Sequence, residues 1–576
     1  MDWQRIVLIG SIVILSFMLL LRWNEFAERH RPHLAQTETT PSTVKSAIPT
    51  SKATASTTSA AKSVESIDDK SDVPEPSSFP PDIGDTGNSV AIVKNAATSQ
   101  LVRVVTDTLD ILIDTHGGDI VKVALLQHAA ALNSDQPYVL LNRNHHFTYI
   151  AQSGLVGPGD NGTDTDGVRP IYTTQKNEYV LAPGEDKIIV DLTLEKQGVT
   201  YIKRFSLTRG DNLIQLIYLI DNNSDSDIQV QLFGQIKRDS QPPLIATDAG
   251  FGIQPFLGAA ITSPESNYEK IDFGDLSQGR ETFSMQGGWV AMVQHYFLSV
   301  WVPNRDQENT FTLRKKSNED LYLLGFTSPP VVVNAGGRSQ IDAGFYAGPK
   351  DIDRLEAIAD YLDLTIDFGI LWWIAKPLFY FLSWINGFIN NWGWSIIILT
   401  IVIKAVFFRL SAASYRSMAN MRKVAPKMQA IKERYGDDRQ KMSQEMMKLY
   451  KTEKVNPMGG CLPILVQMPV FIALYWVLLE SVEIRHAPFI LWLNDLSVKD
   501  PYFVLPLLMG VSMYIQQQLN PTPPDPTQAK IMQWLPVVFT FMFLWFPAGL
   551  VLYWVVNNTL SIIQQYIITR KIEAVG

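Results

Sequence analysis

The stretch WGWSIIILTIVIKAVFFR, residues 392–409, decides the fold, because it is apolar and long enough to enter a bilayer yet contains Lys404. A lysine at the bilayer centre costs about 3 kcal/mol on insertion scales, so it normally faces protein or a water-filled cavity. The alternative is that Lys404 lies near one end of its span and extends its amine along the helix toward Arg409. Helical periodicity alone does not choose between these two interpretations.

The segment after this stretch is strongly basic. Between residues 409 and 454, twelve Lys and Arg stand against five Asp and Glu, a net charge of +7. Because the whole chain has a formal charge of −8, the remainder carries −15. A short basic loop between two spans is cytoplasmic by the positive-inside rule. We therefore predict a cytoplasmic helical hairpin at residues 414–455.

Further apolar runs extend this arrangement into a polytopic α-helical membrane protein. Six transmembrane helices are predicted, at residues 1–22, 392–413, 461–482, 502–519, 531–546 and 548–568. The residues 520–530 are predicted as a cytoplasmic loop, and the aromatic-rich segment 362–391 as an amphipathic helix lying in the membrane interface. With the basic hairpin inside, both termini are expected in the cytoplasm. The single cysteine, Cys461, excludes an intramolecular disulfide framework.

The residues between the first and second spans divide into two parts. Residues 23–88 are rich in Ser, Thr, Ala and Pro, a composition that favours a flexible linker. Residues 89–355 show short alternating segments such as VTYIKRFSLTRGDNLIQLIYLIDNN, separated by Gly, Asn and Asp. Alternation with a period of two predicts a largely antiparallel β-sandwich domain on the outer side of the membrane.

Sequence motifs for catalysis or for cofactor binding are weak in this chain. The glycines of GPGDNG, residues 157–162, match GxGxxG, but a proline and an Asp-rich continuation indicate a surface loop. No nucleophile with an obvious histidine partner stands out, so we predict no enzyme activity, no cofactor and no metal site. Two other classes stay open: a secondary transporter, which should show related halves, and a membrane-anchored envelope enzyme or binding protein that uses the β domain.

The basic segment has a helical pattern on both sides of a tight turn at residues 436–438. One interpretation is an ordinary pair of helices with a solvated basic face. The other is a surface for nascent apolar segments, anionic lipid or ribosomal RNA, since methionine adapts its shape and basic side chains attract phosphate. The hairpin residues singled out are Arg422, Lys423, Lys427, Glu433, Arg434, Asp437 and Asp438.

Four long motifs carry a family resemblance. They are NPMGGCLPILVQMPVFIALYW (456–476), SVEIRHAPFILWLNDLSVKDPYFVLPLLMG (481–510), LWFPAGLVLYWVVNNTLSIIQQ (544–565) and ERYGDDRQKMSQEMMKLYK (433–451). These motifs closely resemble the YidC membrane protein insertases of the YidC/Oxa/Alb family, of the Gram-negative type with a large periplasmic domain.

The resemblance implies an insertase of the bacterial inner membrane without a chemical step. In that family, a five-helix core encloses a hydrophilic groove that is open to the cytoplasm and to lipid. Lys404 occupies the place of the groove's central arginine. The expected partners are nascent membrane proteins, the lipid bilayer, the ribosome and the SecYEG translocon, with no small-molecule substrate. The expected groove contacts are Thr400, Gln467, Met468, Pro469, Phe471, Tyr553, Trp554 and Asn557.

Overall fold

The fold of the chain is given by a computed structural model that describes residues 71–74, 99–165, 167–243, 255–277, 279–435, 438–453, 462–520 and 526–575. The predicted helix at 1–22, most of the predicted linker at 23–88, Cys461 and Asp437 lie outside these ranges.

Alternating apolar residues build the β domain, whose strands lie between Leu101 and Pro349. The first ten strands are β1 (Leu101–Val105), β2 (Leu109–Asp114), β3 (Asp119–Ala129), β4 (Pro137–Arg143), β5 (Thr148–Val156), β6 (Thr173–Thr174), β7 (Glu178–Val180), β8 (Lys187–Lys196), β9 (Val199–Thr208) and β10 (Leu213–Asn222). The next ten are β11 (Ile228–Arg238), β12 (Gly258–Ile261), β13 (Glu269–Ile271), β14 (Glu281–Gln286), β15 (Val290–Val293), β16 (Phe297–Pro303), β17 (Glu308–Lys315), β18 (Tyr322–Thr327), β19 (Val331–Val333) and β20 (Arg338–Pro349).

The strands form two sheets, as the alternation predicts. The first sheet has the order β14-β17-β18-β11-β5-β4-β3-β2-β1-β7, with β19 paired to β11. The second has the order β13-β12-β15-β16-β20-β10-β9-β8-β6. The pairings between named strands are antiparallel except for β1 with β7, which is parallel. Inward-facing side chains of both sheets, such as Leu232 and Phe345, belong to one hydrophobic core.

Ten helices follow the chain through the described ranges. They are α1 (Phe273–Leu276), α2 (Ile352–Ile358), α3 (Trp372–Ile389), α4 (Trp392–Val406), α5 (Phe408–Tyr435), α6 (Arg439–Thr452), α7 (Leu462–Glu480), α8 (Val504–Gln518), α9 (Pro526–Phe543) and α10 (Ala548–Val575). Two short 3-10 turns, Leu362–Thr365 and Gly369–Leu371, precede α3, so the segment predicted as one helix at 362–391 becomes helical only at Trp372.

A second hydrophobic core joins the β domain to the helices. It contains Trp289, directly before β15, and Leu298 of β16, together with Leu355 of α2, Leu474 of α7 and Leu550 of α10. The β domain therefore rests on the helical part through buried apolar contact.

Several helix ends differ from the predicted spans. The helix predicted at 392–413 is interrupted at Phe407, where α4 and α5 meet at an angle of 67°. The bend arises in the backbone of Phe407, whose φ of −86° and ψ of 7° depart from helical values, although its N–H still bonds to the Ile403 carbonyl at 3.1 Å. The predicted loop at 520–530 contains the start of α9 at Pro526, which fits the first turn of a helix because proline needs no N–H partner there.

Within the described ranges, none of the helices taken singly is both long and apolar enough to cross a membrane, and α4 with α5 reaches that criterion only as a bent pair. The number of membrane-spanning helices stays a prediction.

Candidate functional site

Lys404 lies in the last turn of α4 and points into the helical bundle. Its side chain is nearly enclosed, with 7% of the residue exposed. The amine donates to Ser561 Oγ on α10 at 2.7 Å and to Gln467 Oε1 on α7 at 3.4 Å. The geometry agrees with the interior interpretation and disagrees with extension toward Arg409.

The contacts of Lys404 are all neutral. Among the residues that the structure describes, no carboxylate forms an ion pair with its amine. A buried cation normally has an anionic partner, because removing a charge from water is costly. The site therefore has a positive charge that the described part of the protein does not neutralise.

Two further hydrogen-bond donors inside the bundle have no acceptor among the described residues. Gln467 Nε2 and Trp554 Nε1 are buried and have no hydrogen-bond partner among the described residues. Trp554 lies about 10.5 Å from Ser561 along α10, because seven residues separate them at about 1.5 Å each. The interior between α4, α7 and α10 thus presents donors at two levels and is suited to an acceptor such as a carboxylate.

Aromatic side chains form the wall above Lys404. The Phe471 ring meets Trp554 edge-on at 4.5 Å between centroids and stacks with Tyr553 at 6.1 Å. Phe543 of α9 also contacts Trp554, at 5.2 Å. These rings place an apolar surface directly beside the donors.

The remaining predicted groove residues divide by exposure. Thr400 is fully buried, and its hydroxyl donates to the Ile396 carbonyl at 2.6 Å, inside its own helix. Tyr553 is also buried. The half-buried residues are Gln467, Met468, Pro469, Phe471, Trp554 and Asn557. The structure therefore brings the predicted residues together on α4, α7 and α10, but Thr400 and Tyr553 lie behind the surface.

Comparisons with known proteins cover the whole chain. The family model described as "YidC periplasmic domain" matches residues 101–381, and the one described as "60Kd inner membrane protein" matches residues 384–574. A membrane protein insertase YidC of Cellvibrio japonicus is 54% identical, over 100% of this chain and 99% of that protein. One of Saccharophagus degradans is 51% identical, over 100% of both.

This chain belongs to the YidC family of membrane protein insertases.

Membership confirms the resemblance predicted from the four motifs and the predicted function: the family is one of inner-membrane insertases, not of enzymes. The β-rich domain is the periplasmic domain of the family, and the C-terminal helices form its inner-membrane part.

Solved structures give weaker likenesses. A crystal structure described as an active YidC insertase with its first transmembrane domain resolved matches with a TM-score of 0.36 and 18% identity, over 82% of this chain and 93% of that one. A galactose mutarotase-like protein from Lactobacillus casei matches with a TM-score of 0.30 and 9% identity, over 43% of this chain and 99% of that one. Neither likeness carries a functional conclusion.

Sequence reasoning missed Ser561 in this YidC-family chain. Ser561 continues a polar line on α10 that includes Asn558 and Gln565. Asn558 Nδ2 donates to Ser512 Oγ on α8 at 3.1 Å, and Gln565 Nε2 donates to the Leu519 carbonyl at 3.0 Å. The spacing of three and four residues on an otherwise apolar helix was the available signal, because such positions share one helix face.

The hairpin residues are spread along α5 and α6 of this family member and do not form one cluster. Arg422 donates to the Gln518 carbonyl at the end of α8 at 2.9 Å. Lys427 bridges the two hairpin helices by an ion pair with Glu453 at 2.6 Å. Asp438 caps α6 by accepting from the Lys441 N–H at 3.0 Å.

The other described hairpin residues are on the surface. Glu433 accepts from Gln429 Nε2 at 3.3 Å within α5. Lys423 and Arg434 are exposed. The hairpin therefore presents cations to its surroundings, while an apolar seam that contains Val424 and Met428 packs against residues of α6.

A buried ion pair joins the periplasmic domain to α7. Lys350 Nζ lies 2.8 Å from Glu480 Oε2, and the two side chains are 2% and 3% exposed. The Lys350 amine also contacts the Thr365 carbonyl at 3.4 Å. His295 Nε2 lies 2.8 Å from the Leu479 carbonyl. Burial and nearby positive charge lower the pKa of His295 to about 3, so its ring is neutral and Nε2–H donates.

The turn after α7 strengthens the same joint. Arg485 donates to the Ala129 carbonyl at 2.8 Å and lies over the ring of Tyr138, 5.5 Å from its centroid. Val482 is buried in the core of the β domain itself. No local sequence pattern predicts these contacts, since the residues are far apart in the chain.

Proposed function

We propose that this chain inserts newly made membrane proteins through a hydrophilic groove that is centred on Lys404 and open to the cytoplasm and to lipid. The observation that carries the proposal is the set of donors without acidic partners. Lys404 has no carboxylate partner among the described residues, and the buried donors of Gln467 and Trp554 have no acceptor there. Donors alone, beside an apolar wall, suit a polar tail that contains acidic residues and passes through transiently.

The energetic role of the groove is to shorten the apolar path. A substrate tail with two or three charges meets a barrier of about 6 to 10 kcal/mol if each charge crosses the bilayer centre. At an effective dielectric constant of about 20, two opposite unit charges 4 Å apart attract by about 4 kcal/mol. An amine at the position of Lys404 thus offsets a large part of this barrier for one carboxylate. The exposed parts of Phe471 and Trp554 offer the apolar segment a path toward lipid.

The membrane arrangement is part of the proposal. We infer six membrane-spanning helices, with both termini and the basic hairpin in the cytoplasm. The net charge of +7 between residues 409 and 454 supports this orientation. Helix α3 supports an interfacial position, since Trp373, Trp384 and Phe388 are exposed on one face while Phe379 and Leu382 are buried on the other.

Photo-crosslinking tests the groove directly. A crosslinking residue is placed at Met468, Phe471 or Asn557 of the full-length protein, which is then exposed to ribosome-bound chains with one emerging transmembrane segment. The control position is Ile563, which is 50% exposed on the same helix as Asn557. We expect crosslinks at the three half-buried positions and few at Ile563. Equal yields at Asn557 and Ile563 would contradict a groove.

Substitution of Lys404 tests the charge. Lys404→Arg keeps the cation and should preserve insertion of a substrate with an acidic tail, whereas Lys404→Glu should reduce its insertion at least tenfold. The matched control is Lys499→Glu, a charge reversal at an exposed residue. A substrate whose tail carries Asn in place of Asp should be much less sensitive. Equal insertion by the Arg and Glu variants would contradict a role for the positive charge of Lys404.

We propose the basic hairpin as the contact for the ribosome or for anionic lipid, and the SecYEG translocon as a further partner. The exposed cations Lys423 and Arg434 support electrostatic binding. Binding through phosphates weakens steeply with salt. Ribosome binding by Lys423→Glu/Arg434→Glu should therefore fall below that of the unaltered chain at low salt, and the salt dependence should flatten. Binding unaffected by both changes would remove the hairpin from the proposal.

A further inference from the structure

A short segment ahead of the β domain lies against the outer face of the first sheet. Residues 71–74, Ser-Asp-Val-Pro, fall within the predicted linker at 23–88, yet Val73 is only 7% exposed. Val73 packs with Val156 of β5 and Phe233 of β11 in a hydrophobic cluster separate from the main core. This part of the segment is therefore packed on the domain and does not behave as a free tether.

The acidic residue of this segment meets two lysines. Asp72 Oδ2 lies 2.5 Å from Lys237 Nζ, and Asp72 Oδ1 lies 3.0 Å from Lys316 Nζ. Each lysine side chain is 14% exposed and that of Asp72 is 24% exposed. Partial burial strengthens these ion pairs relative to pairs on an open surface.

The main chain of the segment is held as well. Gln235 Nε2 donates to the Asp72 carbonyl at 2.5 Å, and Arg314 donates to the Ser71 carbonyl at 2.8 Å. Gly167 allows a close approach, since a Cβ at that residue would lie 2.7 Å from Ser71 Oγ.

The side chains that contact residues 71–74 from β11 lie on one face of the sheet. Phe233, Gln235 and Lys237 alternate along β11, so their side chains share the face opposite to Leu232 and Ile236, which lie in the main core. The geometry of the β strand alone sets this row of side chains, with or without residues 71–74 bound. The face is therefore built by the domain and is then occupied by the segment.

We propose that this outer face is a binding site for a short acidic peptide, in which an aspartate is followed by a branched apolar residue, and that residues 71–74 of this chain are its occupant. Two lysines recognise the carboxylate, Gln235 and Arg314 recognise main-chain carbonyls, and the Val156–Phe233 surface receives the apolar side chain. Such a combination of main-chain hydrogen bonds with one charged and one apolar contact is typical of peptide recognition. The site is distinct from the groove around Lys404.

An occupant in the same chain has a high local concentration. Linked segments reach effective concentrations of about millimolar, so the site stays filled unless the contacts are weakened or a competing peptide is abundant. We therefore expect residues 71–74 to act as a latch, which fixes the chain ahead of the β domain to the outer face of the first sheet.

Limited trypsin digestion of the full-length protein tests the latch. The bond between Lys70 and Ser71 directly precedes the docked residues, whereas the bond between Lys62 and Ser63 offers the same residue pair as an internal control. The test variant is Lys237→Met/Lys316→Met, which leaves the sequence around both bonds unchanged. We expect cleavage at Lys70–Ser71 to become at least tenfold faster in the variant, with cleavage at Lys62–Ser63 unaltered.

The matched control for folding is Lys315→Met, a neighbouring half-buried lysine without a contact to Asp72. Trypsin should cleave the Lys70–Ser71 bond of this variant at the same rate as in the unaltered chain. Equal cleavage at Lys70–Ser71 in the unaltered chain and in the double variant would overturn the proposal.

A labelled peptide tests whether the site is transferable. In the full-length variant Asp72→Lys/Val73→Asp the occupant is disabled, so the peptide Lys-Ser-Asp-Val-Pro-Glu should bind, while the same peptide with Asn for Asp should not. The unaltered chain should bind neither peptide. Equal binding by both proteins, or no binding to the variant at about 10 mM peptide, would refute a peptide site on this face.

Discussion

Lys350→Met tests how the periplasmic domain is joined to α7. Lys350 and Glu480 form an ion pair with a separation of 2.8 Å, and both side chains are almost fully buried. Removal of the amine leaves a carboxylate in an apolar surrounding. Breaking a buried pair at one partner costs about 3 to 5 kcal/mol.

The cost has an upper limit because the carboxylate can accept a proton. Protonation of a glutamate with an ordinary pKa of about 4.3 costs about 4 kcal/mol of free energy at pH 7. We therefore expect the joint to be weakened by about 3 to 4 kcal/mol at pH 7 and by about 1 kcal/mol at pH 5. In Lys350→Met/Glu480→Leu no charge remains, and the stability should return to within about 1 kcal/mol of the unaltered protein or exceed it.

Hydrogen exchange of the full-length protein provides the assay. The Ser481 N–H bonds to the Val477 carbonyl at the end of α7, so its exchange reports opening of this end. A loss of 3 to 4 kcal/mol corresponds to exchange that is about a hundred to a thousand times faster.

The control is Lys376→Met, in which the lost ion pairs with Glu356 and Asp363 are partly exposed and should matter by about 1 kcal/mol or less. An effect of Lys350→Met below fivefold, or no recovery in the double variant, would refute the reasoning.

Three further substitutions or conditions have defined outcomes. Ser561→Ala removes the 2.7 Å hydrogen bond to Lys404. The free energy of unfolding, measured by thermal denaturation in detergent, should fall by about 1.5 to 3 kcal/mol, and insertion of acidic tails should decrease. Gly393→Ala should cost about 1 to 3 kcal/mol in the same assay, since a Cβ there would lie 2.1 Å from the Phe489 ring. Acid should weaken the joint at His295. This residue binds a proton below pH 6.5 in the unfolded chain but only near pH 3 in the folded one. The free energy of unfolding should therefore fall by about 1.4 kcal/mol per pH unit between these values.

Matched variants check each of these outcomes. Thr559→Ala removes an exposed hydroxyl that bonds only to its own helix, so it should leave stability unchanged. Gly387→Ala has open space around the new Cβ and should be neutral or slightly stabilising. His295→Gln keeps a donor for the Leu479 carbonyl but cannot titrate, so its acid sensitivity should be lower than that of the unaltered chain. The same acid slope with Gln would contradict the assignment to His295.

The periodic parts of the fold were predictable from the sequence. In β9 buried and half-buried residues alternate from Val199 to Thr208, which is the pattern that predicted a two-sheet domain. The charge of Lys404 in an apolar run marked the site but left two positions for its amine open, and the family resemblance implied the interior one. These signals are local, so a single sequence contains them.

The missing parts depend on contacts between distant residues or on weak local signals. The bend at Phe407 occurs without a proline or glycine at that residue, so no residue type marks it. Lys350 and Glu480 are 130 residues apart, and neither stands out in its own segment. Pro526 is compatible with a helix start, but it belongs to a run of prolines that also fits a turn, and that run is part of the predicted loop at 520–530.

The bend at Phe407 places Lys404 at the carboxyl end of a helix. Peptide dipoles aligned along α4 sum to about half a negative charge at that end, within the turn that contains Lys404. This negative potential belongs to the backbone, so it cannot be protonated and does not leave when a substrate carboxylate departs. A cation in the bundle can thus be held between substrates by the helix itself. A carboxylate side chain in that role would compete with every acidic tail that arrives.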